Sequence, residues 1–594
     1  MLETIKDLQG ENDSSPVLSS KTSKIPQAYK GIQYNFCKNH SCDNYGIEPS
    51  LNKKERVGLY ASFGQKNYPL LRCNICGEMP PLKSNQGIVE EIERLSEYLN
   101  TNQSVVSCPD SLCNNHTIPV GIKKAYRSFG TTKAGAKRFQ CSICSKTFSI
   151  AKPTQYQHDT CHNIDIFKML MNKVPLARIV NMLDISWEVL YNRIDFIHRQ
   201  CLAFVANREV ELKTLPIDRL YLAIDRQDHT VNWSDRKDKR NITLSAVCSS
   251  DNKTSYVFGV HPNFDYKIDK LTIEADAVAI QDELLPEPLK KYSRLWLEAD
   301  YEKSLAKKIK EKDRLNTTNL NISIQSTYDN AAQREDIEAF DDKTKIEKLP
   351  NYGLQVKAEY TMIAHLYFIK NLCGNVSKWR FFMDQEPGIR SACLTAFKDE
   401  IKAKNAEAFY VSIEKELTID EKRQFKNKSI RRFNEIQASN PLLSEDEIKL
   451  EMLKEEIKAV SELGKFKDRW VKSPLPSMSE ANKAMCWLTE HDEYDLTHQA
   501  WLYNKASLHS VDSFFEKIRR RVAMLERPIH SASSKGRTWN GYGAYNPAMV
   551  TKMLEIFRVV HNYIDVSKTD KKTPAMRLGL AKAPLSYKNV LYFK

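Results

Sequence analysis

Eight of the fourteen cysteines in this chain of 594 residues fall into four close pairs. Cys37-x4-Cys42 is followed by Ser62-Phe63-Gly64 and then Cys73-x2-Cys76; Cys108-x4-Cys113 is followed by Ser128-Phe129-Gly130 and then Cys141-x2-Cys144. Two thiol knuckles about thirty residues apart, matched twice, have the spacing of a four-thiolate tetrahedral zinc site on short strands, a zinc ribbon. Two structural zinc ions are expected, each replacing a hydrophobic core that so short a segment cannot build. A staple is favoured over a catalytic ion, because catalytic zinc keeps one position open to water. The other six cysteines (Cys161, Cys201, Cys248, Cys373, Cys393 and Cys486) stand apart and read as core residues. His158, Cys161 and His162 could make a further site, although unpaired core or surface residues are the simpler reading.

Carboxylates supply a second chemistry. Arg219-Leu-Tyr-Leu-Ala-Ile-Asp225 is an apolar run of strand length ending in an acid. Leu220, Leu222 and Ile224 face one side, and Tyr221, Ala223 and Asp225 the other, so both faces should be buried as in a central strand. An aspartate where such a strand meets solvent is costly unless a cation holds it, and a divalent metal is one such partner. The polar run Arg226-Gln-Asp-His-Thr230 is expected to be a turn. Lys378-Trp-Arg-Phe-Phe-Met-Asp384 is a second strand ending in aspartate. Asp300, closing Leu295-Trp-Leu-Glu-Ala-Asp300, competes with Asp384 but lacks a preceding helix of the expected kind.

The elements that must position these groups form a long, basic chain. A net charge of +14 and a pI near 8.9 point to nucleic acid or another polyanion as partner. No run of about 18 apolar residues is present, so no membrane span is expected. Met1-Leu-Glu-Thr-Ile-Lys-Asp7 does not look like a secretory leader, and paired cysteines in a chain of the reducing interior favour metal over disulfide. Residues 1–30 read as a disordered tail, 31–100 as a first zinc-ribbon-like domain and 101–155 as a second. Around the second lie Lys123, Lys124, Arg127, Lys133, Lys137, Arg138 and Lys146, interleaved with Tyr126, Phe139 and Phe148, which suits tracking of phosphates. The first ends in Cys76-Gly-Glu-Met-Pro-Pro81 and is less basic, so DNA contact is assigned to the second and packing or partner contact to the first.

Residues 156–212 carry three helical stripes: Ile164, Phe167, Leu170 and Met171; Leu176, Ile179, Val180 and Leu183; Leu190, Ile194, Ile197 and Cys201. Pro175 opens the second helix, Asp184-Ile185 makes a tight turn and Ser186 is a good N-cap for the third. This reads as a helix-turn-helix, with Trp187, Glu188, Tyr191, Asn192 and Arg193 as base-reading candidates.

After Asp225, Ile242 to Cys248 and Ser255 to Val260 read as two further strands of a meander, and 261–351 as an insertion. A helix with Ile363, Leu366, Ile369 and Leu372 on its inner face precedes the strand to Asp384; Pro387 then opens a helix, and Ala408 to Ile413 is a fifth strand. This order, with acids ending the first and fourth strands, is the ribonuclease H-like layout, to be completed by a helix carrying a third carboxylate. The catalytic core is thus expected in three parts (213–260, 352–415 and 502–594). Residues 416–501 form a helical insertion, marked by the capping box Ser444-x-x-Glu447 and a stop at Gly464. The fold class is α+β or α/β, multidomain.

The missing element is His509-Ser-Val-Asp-Ser-Phe-Phe-Glu-Lys-Ile-Arg-Arg-Arg521. With it the chain resembles bacterial insertion-sequence transposases of the DDE class, in which zinc ribbon, helix-turn-helix and ribonuclease H-like core follow in that order. A family motif of the form Asn-Thr-(Val/Ile)-Glu-x-(Phe/Trp)-Trp aligns with 509–515 and puts Asp512 at its glutamate. The segments Glu526-Arg-Pro528, Arg537-Thr-Trp-Asn-Gly-Tyr-Gly-Ala-Tyr-Asn-Pro547 and Phe557-Arg-Val-Val-His-Asn-Tyr563 look like its closing segments. The likeness covers roughly 108–563, in patches, and departs from the family in having aspartate for glutamate. Glu516, one helical turn on, remains open as the third acid.

The resemblance implies Asp225, Asp384 and Asp512 as ligands of two Mg²⁺ ions for DNA cleavage and strand transfer, with Arg519, Arg520 and Arg521 clamping phosphates. It also implies double-stranded DNA (element ends and target) as partner, oligomers on DNA and a cytoplasmic, nucleoid-associated place in a bacterium. Two alternatives stand beside it: a transposase-derived DNA-binding protein that has lost its metal site, and a metal-dependent nuclease of another purpose.

Overall fold

The computed structural model describes residues 25–64, 68–100, 106–120, 122, 124–133, 136–150, 153–154, 157, 159–306, 324–325, 347–414, 416–463, 468–528 and 538–593. Residues 1–24, Lys123, His158, Gly464 and Arg537, all invoked above, lie outside them. The tail assigned to 1–30 therefore cannot be followed before Ile25, which is buried beside the first cysteine set.

Strands β1 (Tyr60–Gly64) and β2 (Pro69–Cys73) form a hairpin followed by helix α1 (Asn85–Asn100). Ile88, Ile92 and Leu95 recur on one face of α1 and are buried against the central core, where α1 packs on later helices. Strands β3 (Tyr126–Thr131), β4 (Lys137–Cys141) and β5 (Thr147–Ser149) make a separate antiparallel sheet. Three helices follow: α2 (Asn163–Leu170), α3 (Leu176–Leu183) and α4 (Trp187–Glu209). Asp184 takes the left-handed conformation (φ 49°) that ends α3, and the Ser186 hydroxyl accepts from the Val189 amide to start α4. The far half of α4 enters the central core through Phe196, Ile197, Cys201, Phe204 and Val205.

The central sheet begins with β6 (Ile217–Val231), β7 (Ile242–Asp251) and β8 (Val257–Pro262), an antiparallel meander. A two-residue pair, β9 (Phe264–Asp265) with β10 (Leu354–Gln355), closes the following excursion. Helix α5 (Ala358–Leu372), strand β11 (Val376–Asp384), helix α6 (Pro387–Ala396) and strand β12 (Ala406–Ile413) continue the core. Beyond them come α7 (Ile419–Ser439), α8 (Glu445–Lys458), β13 (Ser461–Leu463), β14 (Asp468–Lys472), β15 (Lys483–Trp487), α9 (Leu496–Lys505), α10 (His509–Arg521) and α11 (Pro547–Tyr563). Sheet order is β13-β14-β15-β12-β11-β6-β7-β8, with β6, β11 and β12 mutually parallel and the other pairings antiparallel. The five strands from β8 to β12 are compatible with a ribonuclease H-like layout. Helix α10 packs on β6 and β7, and α11 on β8 and α4.

Three expectations need correction. The polar run after Asp225 is not a turn: β6 continues to Val231, pairing with β7 as far as Ile242. Backbone ladder bonds are indifferent to side-chain polarity, and burial of Gln227, His229 and Val231 keeps the period of two. The segment 416–501 is not wholly helical, since β13, β14 and β15 extend the sheet beyond β12. Its capping box at Ser444 is present, and Ile448, Met452, Leu453 and Ile457 are buried. Asp300 does not end a strand; it lies on the helix Glu298–Ala306 and pairs with Lys290 at 2.6 Å.

Buried histidines leave a titration signature. Burial brings His229 down to about 4 and His365 and His561 to about 3. Each is neutral in the folded chain, whereas its unfolded form takes a proton near 6.5. Their contribution is complete above that value and is lost as pH falls toward the folded pKa. Urea unfolding at pH 7 and pH 5 should show a lower midpoint at pH 5, by up to about 2 kcal/mol for each of these groups, and His365→Gln should flatten the change.

Candidate active site and metal clusters

Strands β6 and β11 run parallel with Ile224 opposite Met383, so the next residues, Asp225 and Asp384, are neighbours on one face. Strand β11 ends at Asp384, whereas β6 runs on, paired among the described residues only with β7. From Asp225 onward one edge of β6 therefore opens as a notch. A cleft of about 360 Å³ lies along it, lined by Asp225, Gln227, His229, Asp512, Arg519 and Arg527 among others. Asp225 is 5 % exposed; its Oδ1 accepts from the Arg226 amide at 2.7 Å, and Asp384 Oδ1 accepts from the Gln385 amide at 2.9 Å. Arg226 reaches Glu386 at 3.1 Å, tying the two strand ends together beside the acids.

Helix α10 buries Val511, Phe514, Phe515 and Ile518, which brings Asp512 and Arg519 to the cleft. It is held at both ends by charges that match its dipole. At the start, the buried Glu480 carboxylate accepts from the Leu508 amide at 3.0 Å and the Ser507 hydroxyl at 2.6 Å. Burial raises its pKa, but Lys483 and these donors outweigh that and leave it below the ordinary value. At the other end, the Lys173 amide donates to the Arg521 carbonyl and its ammonium to the Arg519 carbonyl, both at 2.7 Å. Lys173 sits in the turn between α2 and α3, so the helical module is clamped to the helix that carries Asp512.

Of the two candidates for a third acid, Asp512 lines the cleft, while Glu516 is half exposed and paired with Arg520 at 2.6 Å. The three arginines are not brought together. Arg519 lines the cleft, where burial and Arg527 lower its pKa and Asp512, Glu516 and Asp225 raise it. Arg520 points to solvent, and Arg521 is tied to Asp565 and to the Met171 carbonyl. Gln227 and His229, within the run read as a turn, were missed. Gln227 Oε1 and His229 Nε2 are buried with no hydrogen-bond partner among the described residues, on the face of β6 that carries Asp225. Their i+2 and i+4 spacing from Asp225 was the available signal.

Among the described residues, three groups of His, Cys, Asp or Glu have ligand atoms within 4.8 Å of one another: Cys37, Cys42, Cys73 and Cys76; Cys108, Cys113, Cys141 and Cys144; and Asp159, Cys161 and His162. The three core aspartates do not form such a group. In the quartets the closest sulfurs lie at 3.5 and 3.7 Å in the first and 3.3 and 3.7 Å in the second. A zinc ion with bonds of about 2.3 Å separates tetrahedral sulfurs by about 3.8 Å. The quartets fit that ion.

The duplication extends to residues the cysteine spacing did not reveal. Asn44 and Asn115, each two residues after a knuckle cysteine, donate to Cys73 at 3.3 Å and Cys141 at 3.4 Å. Tyr60 and Tyr126, each two residues before Ser-Phe-Gly, accept from the Cys37 and Cys108 amides. Burial raises the Cys141 thiol, but the Cys144 and Ile143 amides and the Asn115 side chain bring it down to about 6, and the equivalent groups bring Cys73 to about 7. Such preparation favours the thiolate at one cysteine of each quartet, while burial holds the thiols of Cys37, Cys42 and Cys108 up. The surroundings diverge. The first quartet docks on helix α6 and on the segment after β15 through Tyr45, whose hydroxyl donates to the Leu394 carbonyl at 2.6 Å, and His40, 3.1 Å from the Glu490 carbonyl. Among the described residues, no hydrogen bond or ion pair joins 106–150 to the rest of the chain. There Lys137 is exposed, and Arg138 lies 5.3 Å from the exposed Phe129 ring. At the start of α4, Trp187, Tyr191 and Asn192 are exposed, with the first two rings stacked at 6.2 Å, while Arg193 donates to the Asp159 carbonyl.

No protein-family model matches the chain, and a search of curated proteins finds no significant relative. What stands is an α+β chain with two cysteine clusters able to hold metal, a mixed sheet flanked by helices and, among the described residues, no helix long and apolar enough to cross a membrane. This is consistent with a nuclease or DNA-binding enzyme in general.

Metal analysis of the purified protein should give two zinc ions per chain. Cys141→Ser should remove one without moving the main thermal transition. Cys73→Ser should remove one and lower that transition, because its cluster docks on helix α6 and on the segment after β15.

Proposed function

We propose that the chain is a DNA transposase that binds the ends of its own mobile element and carries out Mg²⁺-dependent cleavage and strand transfer. The observation that carries this is the side-by-side placing of Asp225 and Asp384, with Asp512 brought to the same cleft by the helix after the sheet. The donor set fits hard cations: the carboxylates of Asp225 and Asp512 line the cleft, and Asp384 stands beside Asp225 at the end of β11. Asp225, Asp384 and Asp512 would hold two Mg²⁺ ions, which when bound stabilise the attacking and leaving oxygens of an in-line displacement at phosphorus.

The chain's own groups do the rest. Arg519 faces the cleft and would hold a phosphate oxygen; Arg527 adds positive charge at its rim. Burial keeps His229 neutral, so its ring offers a hydrogen bond to DNA or water without adding charge. DNA is gripped elsewhere: α4 would read bases with Trp187, Tyr191 and Asn192, and the second ribbon would follow phosphates with Lys137 and Arg138. Arg193 and Arg521 are engaged within the chain and would act through position. Water attack at the element end would free a 3′-hydroxyl, which then attacks target DNA.

With DNA carrying the element's flanking repeats and Mg²⁺, Asp225→Asn, Asp384→Asn and Asp512→Asn should each lower end cleavage by more than about a hundredfold, since disturbing even an outer partner of a bound metal costs up to that much. Glu516→Gln should stay within about threefold of the parent, and all four should bind the ends as the parent does. Cleaved but unjoined ends would make the protein a nuclease; binding without cleavage by the parent would leave a DNA-binding protein.

A further inference from the structure

We propose that the loop 538–546 and the turn 233–240 form a shelf that receives an unpaired DNA strand beside the carboxylate cleft, with bases stacking on Trp539, Tyr542 and Tyr545. This rests on the reading of the chain as a DNA-processing enzyme and specifies the form of DNA it holds. The three rings are 50, 52 and 50 % exposed, and among the described residues none packs on another aromatic ring. Exposed aromatic surface of that size adds little to folding, and a loose loop would let it collapse onto the protein.

This loop is not loose. Buried Asn232 accepts from the Asn540 amide at 3.0 Å, donates through its side chain to the Asn540 carbonyl at 2.6 Å and through its backbone to the Ala544 carbonyl at 2.8 Å. Buried Asn241 exchanges two bonds with the Thr538 backbone, at 2.8 and 3.0 Å. A Cβ at Gly543 would stand 3.1 Å from Asn232 Nδ2, so glycine permits the close seat. Two buried asparagines and a glycine thus fix a backbone whose large side chains face solvent.

Asn232 and Asn241 also bracket the turn carrying exposed Arg236, Lys237 and Lys239, which sets cations beside the rings. Cations along a backbone path with aromatic faces for bases suit a single strand; duplex bases are already stacked on one another. The notch along β6 leads from Asp225 to Asn232, about 23 Å at about 3.3 Å per residue. An unpaired strand of several nucleotides spans that distance. Asn540 also donates to the carbonyl of Glu526, which lines the cleft, so shelf and cleft are continuous.

The test measures binding of the full-length protein to a fluorescent single-stranded oligonucleotide and to a duplex of the same sequence, by anisotropy. Replacing Trp539, Tyr542 and Tyr545 together by alanine should weaken single-strand binding by about tenfold or more, leaving duplex binding within about twofold. Replacing all three by phenylalanine should restore it, and 2-aminopurine in the oligonucleotide should be quenched by the parent and the phenylalanine variant alone. Unchanged single-strand binding in the alanine variant, equal loss on both DNAs, or loss in the phenylalanine variant would overturn the shelf. Repeating the binding with Asp225→Asn separates the two readings, since the shelf should still hold a strand when cleavage is gone.

Discussion

The parallel pairing of β6 with β11 is the constraint on which the rest depends. Its register alone sets Asp225 beside Asp384, two carboxylates on neighbouring strands at the point where one strand stops and the other goes on. Like charges so placed repel. A cation between them, or close to both, turns that cost into an attraction. The arginines nearby are partly committed: Arg226 pairs with Glu386, and Arg519 stands across the cleft near Asp512. Stopping β11 at Asp384 also opens the edge of β6, so one event in the sheet creates both the acidic pair and the space for a substrate.

The second consequence concerns α10. It docks on β6 and β7 by an apolar face, and its ends are fixed by Glu480 at the start and Lys173 at the finish. Lys173 belongs to the helical module whose last helix exposes Trp187 and Tyr191. That module therefore touches the helix that carries Asp512, and its own last helix, α4, runs on into the central core. The first cysteine cluster is built into the same body, whereas the second stands apart with its basic strands, an arrangement suited to reaching along DNA.

Much of this was legible in the sequence because it rests on spacing. Cysteine spacing marked both quartets, the meander and the strand to Asp384 followed from apolar runs, and the helix at 509–521 was picked out by its resemblance to the family motif. What escaped was governed by partners distant in the chain. The run after Asp225 looked like a turn because its side chains are polar, yet β7 holds its backbone. Strands β13 to β15 were obscured by the charged helices around them. Asn44, Asn115, Tyr60 and Tyr126 repeat as faithfully as the cysteines, but polar residues carry a repeat less visibly than thiols. Arg521 looked like its neighbours Arg519 and Arg520, and its ties to Asp565 and Met171 distinguish it.

The central claim is that the acids of the cleft act together on divalent cations. Diffraction from crystals grown with Mn²⁺ tests it most directly, because manganese replaces magnesium and its anomalous signal locates each ion. The account predicts manganese peaks ligated by Asp225, Asp384 and Asp512, and their disappearance in the Asp225→Asn protein. A cleft free of anomalous density at saturating Mn²⁺, with the zinc clusters filled and the sheet intact, would contradict it.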